Sequence, residues 1–242
     1  MRASRWIMVA LFAVSAVVVV EAQQPRPGGG GGFGINVYTS VLSNKDLQTE
    51  LKITDEQKEK FKPIAEKATA AGKKNREVFK DAGKDQDKLK EAGTEFAKLQ
   101  AASNAETKKS VDEILNSDQK KRIGQIEVQA KGMGAFSDEK IAKELNITEA
   151  QTSKIKGVME EYQNDTKGIP RFDRDKDKQA ENTAKREKLR KAAFADIQEA
   201  LTAEQKSKWK EMTGEPFDTA KLFNFGGGGV RPGGKDKEKT KD

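Results

Sequence analysis

The stretch LKITDEQ at residues 51–57 returns as LNITEAQ at residues 145–151, and shortened forms stand at LNSDQ, residues 115–119, and LTAEQ, residues 201–205. In each copy a residue with a short oxygen-bearing side chain stands three places before a glutamine: Thr54 before Gln57, Asn116 before Gln119, Thr148 before Gln151, Thr202 before Gln205. That is the spacing of a capping box, in which the first side chain accepts the N3 backbone N–H and the glutamine reaches back to the amide of the cap. Asp55, Glu56, Asp118, Glu149 and Glu204 fall just inside these starts, where a negative charge opposes the positive end of the helix dipole. The pattern predicts helix N-termini at four places and an all-α fold with almost no strand.

The copies run long, short, long, short, which reads as a duplicated unit. After Gln57 come Phe61, Ile64, Ala65 and Ala68; after Gln151, Ile155, Val158, Met159 and Tyr162 occupy the same offsets. Spacings of three and four place each set on one face of a helix. A second helix in each unit is marked by Leu89, Ala92, Phe96, Leu99, Val111 and Ile114, and by Leu189, Phe194, Ile197 and Leu201. Gly83 and the run Gly168-Ile-Pro170-Arg-Phe172 supply the turns before these helices, the proline by ring clash and a missing donor. A brief third helix follows each short motif, with Ile123 and Ile126 matched by Trp209 and Met212. The expected architecture is two elongated hairpins, each followed by a short helix, over residues 36–131 and 132–222, joined by GMGAF at 132–136.

Both ends read differently. Residues 1–22 combine Arg2 and Arg5, an apolar run from Ile7 to Val20 and small residues at Val20 and Ala22, the pattern of a cleaved export signal. The run falls short of the roughly 20 residues that cross a bilayer, so a retained anchor is the weaker alternative and no stable membrane insertion is expected after cleavage. Residues 23–35 are a Gly/Pro-rich linker and residues 223–242 a Gly/Lys-rich tail; both read as flexible. The mature chain is expected in the periplasm or outside the cell.

Hydrophobic residues make up 34% of the chain and charged ones 35%, so the core must be thin, which suits slender amphipathic helices better than a globular enzyme. The net charge of +7 is spread among alternating acids and bases rather than gathered into a phosphate-binding stripe, and argues against nucleic acid as a partner. With no histidine and no cysteine, the common zinc ligands, thiol nucleophiles and imidazole bases are missing, and no enzyme activity and no cofactor are expected. Asp173, Asp175 and Asp177 begin like a calcium loop, but Lys178 stands where a glycine is needed and Ala184 where the bidentate glutamate belongs. Near the C-terminus, Trp209 lies among Lys206, Lys208 and Lys210. These form a candidate partner surface, unless Trp209 packs on its hairpin as Ile123 would.

The export signal, the high charge and the repeated starts, above all Leu201-Thr202-Ala-Glu-Gln205, resemble the Spy/CpxP-like periplasmic LTxxQ-motif proteins. The resemblance implies a small helical chaperone or stress-modulating protein, usually a homodimer, whose basic cradle holds unfolded or envelope proteins without ATP. A zinc-associated branch of that family uses histidines that this chain lacks. A structural or adaptor protein of the cell envelope is the other reading that the sequence leaves open. Titration calorimetry of residues 23–242 with zinc and with calcium is expected to yield no submicromolar site; such a site with whole-number stoichiometry would overturn the reading of the carboxylates as solvated.

Overall fold

The computed structural model describes residues 36–83 and 85–223, except the side chain of Phe223. The signal at 1–22, the linker at 23–35 and the tail from residue 224 onward lie outside the described residues. Among these residues the chain is all-α, with no strand. Two short helices, α1 (Val37–Ser40) and α2 (Lys45–Glu50), lead into α3 (Asp55–Asn75). A 3-10 turn at Arg76–Phe79 reverses the chain into α4 (Gln86–Ile114), and α5 (Ser117–Lys131) follows. A second 3-10 turn, Gly132–Ser137, precedes α6 (Glu139–Glu144), α7 (Glu149–Thr166), α8 (Lys176–Glu199), α9 (Ala203–Thr213) and a last 3-10 turn at Thr219–Phe223. Helices α3 and α4 pack against each other as one hairpin, and α7 and α8 as another. The 29 residues of α4 reach about 43 Å at the usual rise per residue.

The short helices α1, α2 and α6 were not anticipated from the sequence, and they explain why the long motif begins with leucine. Leu51 and Leu145, both buried, close α2 and α6. The next residues, Lys52 and Asn146, turn left-handed at φ 52°. The Lys52 amide then donates to Thr49 O at 3.0 Å and the Ile53 amide to Gln48 O at 2.9 Å. Asn146 and Ile147 repeat this, donating to Lys143 O at 3.1 Å and Ala142 O at 2.9 Å. This is a Schellman motif, which satisfies the orphan carbonyls at a helix end. The long motif is therefore a stop followed by a start: it ends one helix and caps the next, with Thr54 and Thr148 at the joint.

Burial is concentrated where the helices begin and end near these joints. One core gathers Val41, Leu47, Leu51, Phe61, Val111, Ile123 and Ile126; another gathers Phe136, Ile141, Leu145, Ile155, Ile197, Leu201 and Trp209. The sequence boundaries assign residues 132–222 to a second unit, yet Phe217 and Leu222 lie in the first core. The cause is the end of α9. Gly214, at φ 60°, sends the chain back across α5, and Asn44 Nδ2 holds the returning segment at Lys221 O, 2.7 Å away. The backbone conformation calls for glycine there, and a Cβ would also displace the end of the Gln125 side chain, whose Cδ and Oε1 would lie 2.3 Å away.

Lys52 is exposed and occupies a conformation that non-glycine residues adopt at a cost. Lys52→Gly is expected to raise stability by roughly 0.5–1 kcal/mol. Urea unfolding measures it, and an unchanged or lower midpoint would contradict the left-handed assignment.

Candidate functional site

The glutamines of the repeated motif do more than close capping boxes. Thr54 and Asn116 each accept the N3 amide, from Gln57 at 3.2 Å and Gln119 at 2.9 Å, and their own amides donate to Gln57 Oε1 and Gln119 Oε1 at 3.0 Å. The same two glutamines also meet each other. Gln57 Nε2 donates to Gln119 Oε1 at 2.8 Å and Gln119 Nε2 to Gln57 Oε1 at 3.0 Å. The remaining Nε2 hydrogens reach Ile114 O at 3.0 Å and Leu51 O at 3.1 Å, just before the opposite caps. Gln151 and Gln205 form a matching pair at 2.7 and 3.0 Å, donate to Ala200 O at 2.8 Å and Asn146 O at 3.1 Å, and accept the amides of Thr148 at 3.0 Å and Thr202 at 2.9 Å. The oxygen of each amide thus faces N–H donors and the nitrogen faces carbonyls, which fixes the orientation of the group. Each pair clasps two helix starts together in a part-buried contact whose amide atoms are all hydrogen-bonded.

The other residues singled out in the sequence are used for packing and capping. Trp209 is buried in the second core, where its ring stacks on Phe136 with centroids 4.4 Å apart and meets Phe194 at 6.2 Å. Of the three lysines grouped with it, Lys206 and Lys210 are exposed and Lys208 is half-buried. The aspartates of the calcium-like run act as turn and cap acceptors. Asp173 Oδ1 takes the Asp175 amide at 3.0 Å, and Asp175 Oδ1 takes those of Asp177 at 2.9 Å and Lys178 at 3.2 Å, starting α8.

Sequence reasoning missed an open cleft of about 920 Å³ between the end of α5, the C-terminal half of α7 and the face of α8. Met133, Met159, Tyr162, Ile169 and Pro170 give it an apolar lining; its charged lining residues are Lys131, Lys167, Arg171, Arg186 and Arg190, with no carboxylate among them. Arg186 is spent structurally: it donates to Thr166 O at 2.9 Å and to Ile169 O at 3.1 Å, capping the end of α7. Arg190 makes a bidentate pair with Glu187, at 2.6 and 3.0 Å. Lys131 bridges to Asp138 at 2.8 Å, an ion pair that holds the Asp138 carboxyl below the usual carboxylate range despite partial burial. Lys167 and Arg171 have no ion-pair partner among the described residues. The only available signal was the run Lys167-Gly-Ile-Pro-Arg171, free of acids within an otherwise mixed-charge stretch.

Gln119 is the test of the clasp. Its Nε2 faces Leu51 O, Lys52 O and Gln57 Oε1, all acceptors, so a carboxylate of the same shape would be surrounded by lone pairs. Gln119→Glu is expected to cost about 2–4 kcal/mol at neutral pH, against about 1 kcal/mol for Thr54→Ala. Such a glutamate has its folded-state pKa raised, so the deficit develops as pH rises above the unfolded value of about 4.3 and shrinks on acidification. Urea unfolding at two pH values measures both, and equal, pH-independent losses would show that the glutamine acts only as a cap.

Comparison of the chain with protein-family models, with characterised proteins and with solved structures finds no match, so any functional reading rests on the residues and geometry above.

Proposed function

We propose that the protein is an exported, ATP-independent holding protein of the Spy/CpxP-like kind, built from a duplicated helical unit and acting on unfolded or envelope proteins in the periplasm or outside the cell. The observation that carries this reading is the state of the apolar stripes on the two hairpins. Beyond the clasped bases each arm is only two helices thick, and two helices cannot enclose a stripe. Leu89, Phe96 and Leu99 on the first arm, and Tyr162 and Leu189 on the second, are half-buried, as are Ile64, Val158 and Met159 where the arms meet the two cores. The arm tips add Phe79, 38% exposed, and Phe172, 66% exposed. Lysines and acids flank these positions on both arms.

A surface of this kind attracts flexible chains by non-directional apolar burial, while its charges keep the complex soluble and steer encounter. Such holding is passive and needs no nucleotide or metal. The duplicated unit, a hairpin and short third helix on each side, would give one chain the paired surface that family members build from two subunits, although a homodimer of this chain would extend it further.

Light scattering from a reduced, aggregating client, titrated with residues 23–242, tests the reading. Suppression at a few-fold molar excess, retained by residues 36–223 alone, is expected. No suppression would return the protein to the envelope structural or adaptor class. Charge-steered capture would weaken with added salt while apolar holding persists.

A further inference from the structure

We propose that the cleft between α5, α7 and α8 is the seat of selectivity for client segments, and that it takes stretches in which carboxylates alternate with apolar or aromatic residues. The proposal rests on the holding reading and adds the chemistry of what is held. Its basis is a departure from the rest of the molecule. The chain carries 46 Lys and Arg against 39 Asp and Glu, in close alternation, yet all the charges that line this cleft are positive. Two of those charges, Lys167 and Arg171, meet no carboxylate among the described residues and stand at the mouth made by the end of α7.

The cleft supplies both halves of an amphipathic fit. Met133, Met159 and Tyr162 form an adaptable apolar wall, since the thioethers rotate to follow irregular side chains and a tyrosine ring offers a flat face. Arg186 caps α7 and Arg190 pairs with Glu187, so these two set the shape and background potential. Lys167 and Arg171 remain to meet a ligand charge. Phe172, the most exposed large apolar side chain described, follows Arg171 directly in the chain. The volume, about 920 Å³, is at the upper end of small-molecule pockets, but the cleft is open along its length. A short length of extended chain therefore fits it better than an enclosed ligand. A basic segment with the same apolar residues is disfavoured, because its cations would be placed against Lys167, Arg171 and Arg186, which no carboxylate neutralises among the described residues.

Two fluorescein-labelled peptides of equal length and identical leucine and phenylalanine positions, one spaced by glutamate and one by lysine, distinguish the outcomes by anisotropy. The protein used is residues 23–242, unaltered and as Lys167→Glu/Arg171→Glu. The glutamate peptide is expected to bind the unaltered protein about tenfold more tightly than the lysine peptide, and the double variant to lose or invert that preference. Both positions are exposed, and helix content measured by circular dichroism checks that the variant folds. Met159→Asp is expected to weaken the glutamate peptide as well, by adding a like charge and removing apolar wall. Equal binding of the two peptides, or a preference unmoved by the double substitution, overturns the assignment of selectivity to the cleft. Those results would leave the holding reading intact if aggregation is still suppressed. Peptide discrimination without aggregation suppression would support the cleft and defeat the holding reading.

Discussion

Two glutamine amides facing each other hold the ends of this protein's helices in register. At the part-buried contact between Gln57 and Gln119, four N–H hydrogens and two carbonyl oxygens are satisfied by making each side chain serve two helices. The oxygen caps its own helix start while the nitrogen seizes the opposite backbone. Local capping and long-range docking thus share the same side chains: the glutamine that closes the cap of α3 also holds the start of α5, and the reverse. The Gln151 and Gln205 pair imposes the same condition on α7 and α9. A chain with so little apolar material gains specificity from such contacts, since a misaligned register would strand buried amides without partners.

The rest of the architecture follows from where those clasps sit. Each fixes the base of a hairpin, and the cores collect around the bases rather than along the arms. The bases are then tied to each other by segments that cross between them. Phe136, just after α5, stacks on Trp209 in the second core, while Phe217 and Leu222, just after α9, enter the first. Gln129 secures this crossing: its Nε2 donates to Thr213 O at 2.6 Å and Glu215 O at 2.7 Å, and its oxygen accepts the Phe217 amide at 2.8 Å. Arg122 adds a donor to Glu215 O at 2.8 Å and an ion pair to Glu50 at 2.7 Å. Unfolding one base therefore exposes part of the other, which couples the two cores despite their separate hydrophobic clusters.

The helical starts were legible because a cap is a local device: Thr54 and Gln57 are three residues apart and their reciprocal bonds need nothing else. The stripes of Phe61 and Ile155 were legible for the same reason. The glutamine clasp was not, since nothing in LKITDEQ says that Gln57 has a second donor hydrogen aimed at a residue far along the chain. Left-handed Lys52 was also hidden, because lysine carries no preference for that conformation, whereas Asn146 at the equivalent place does. The crossing of Phe217 into the first core defeated the reading by periodicity, which assigns a residue to the helix it follows and not to the core it reaches. The cleft was missed because its cations come from α5, from the segment after α7 and from α8, and only their convergence separates them from the solvated charges elsewhere.

A structure clasped at its bases and thin along its arms divides its stability unevenly. The polar clasps and the two cores supply most of the cooperative contacts, and the arms depend on exposed intrahelical pairs such as Lys60 with Glu56 and Lys62 with Glu59, each worth only tenths of a kcal/mol. Filling the arms with larger apolar residues would stabilise them, but only by closing the stripes onto each other. Half-buried side chains such as Phe96 and Tyr162 therefore keep part of their surface in contact with solvent. In this way a low apolar content is compatible with a defined fold, and the same scarcity leaves the stripes along the arms only half-covered.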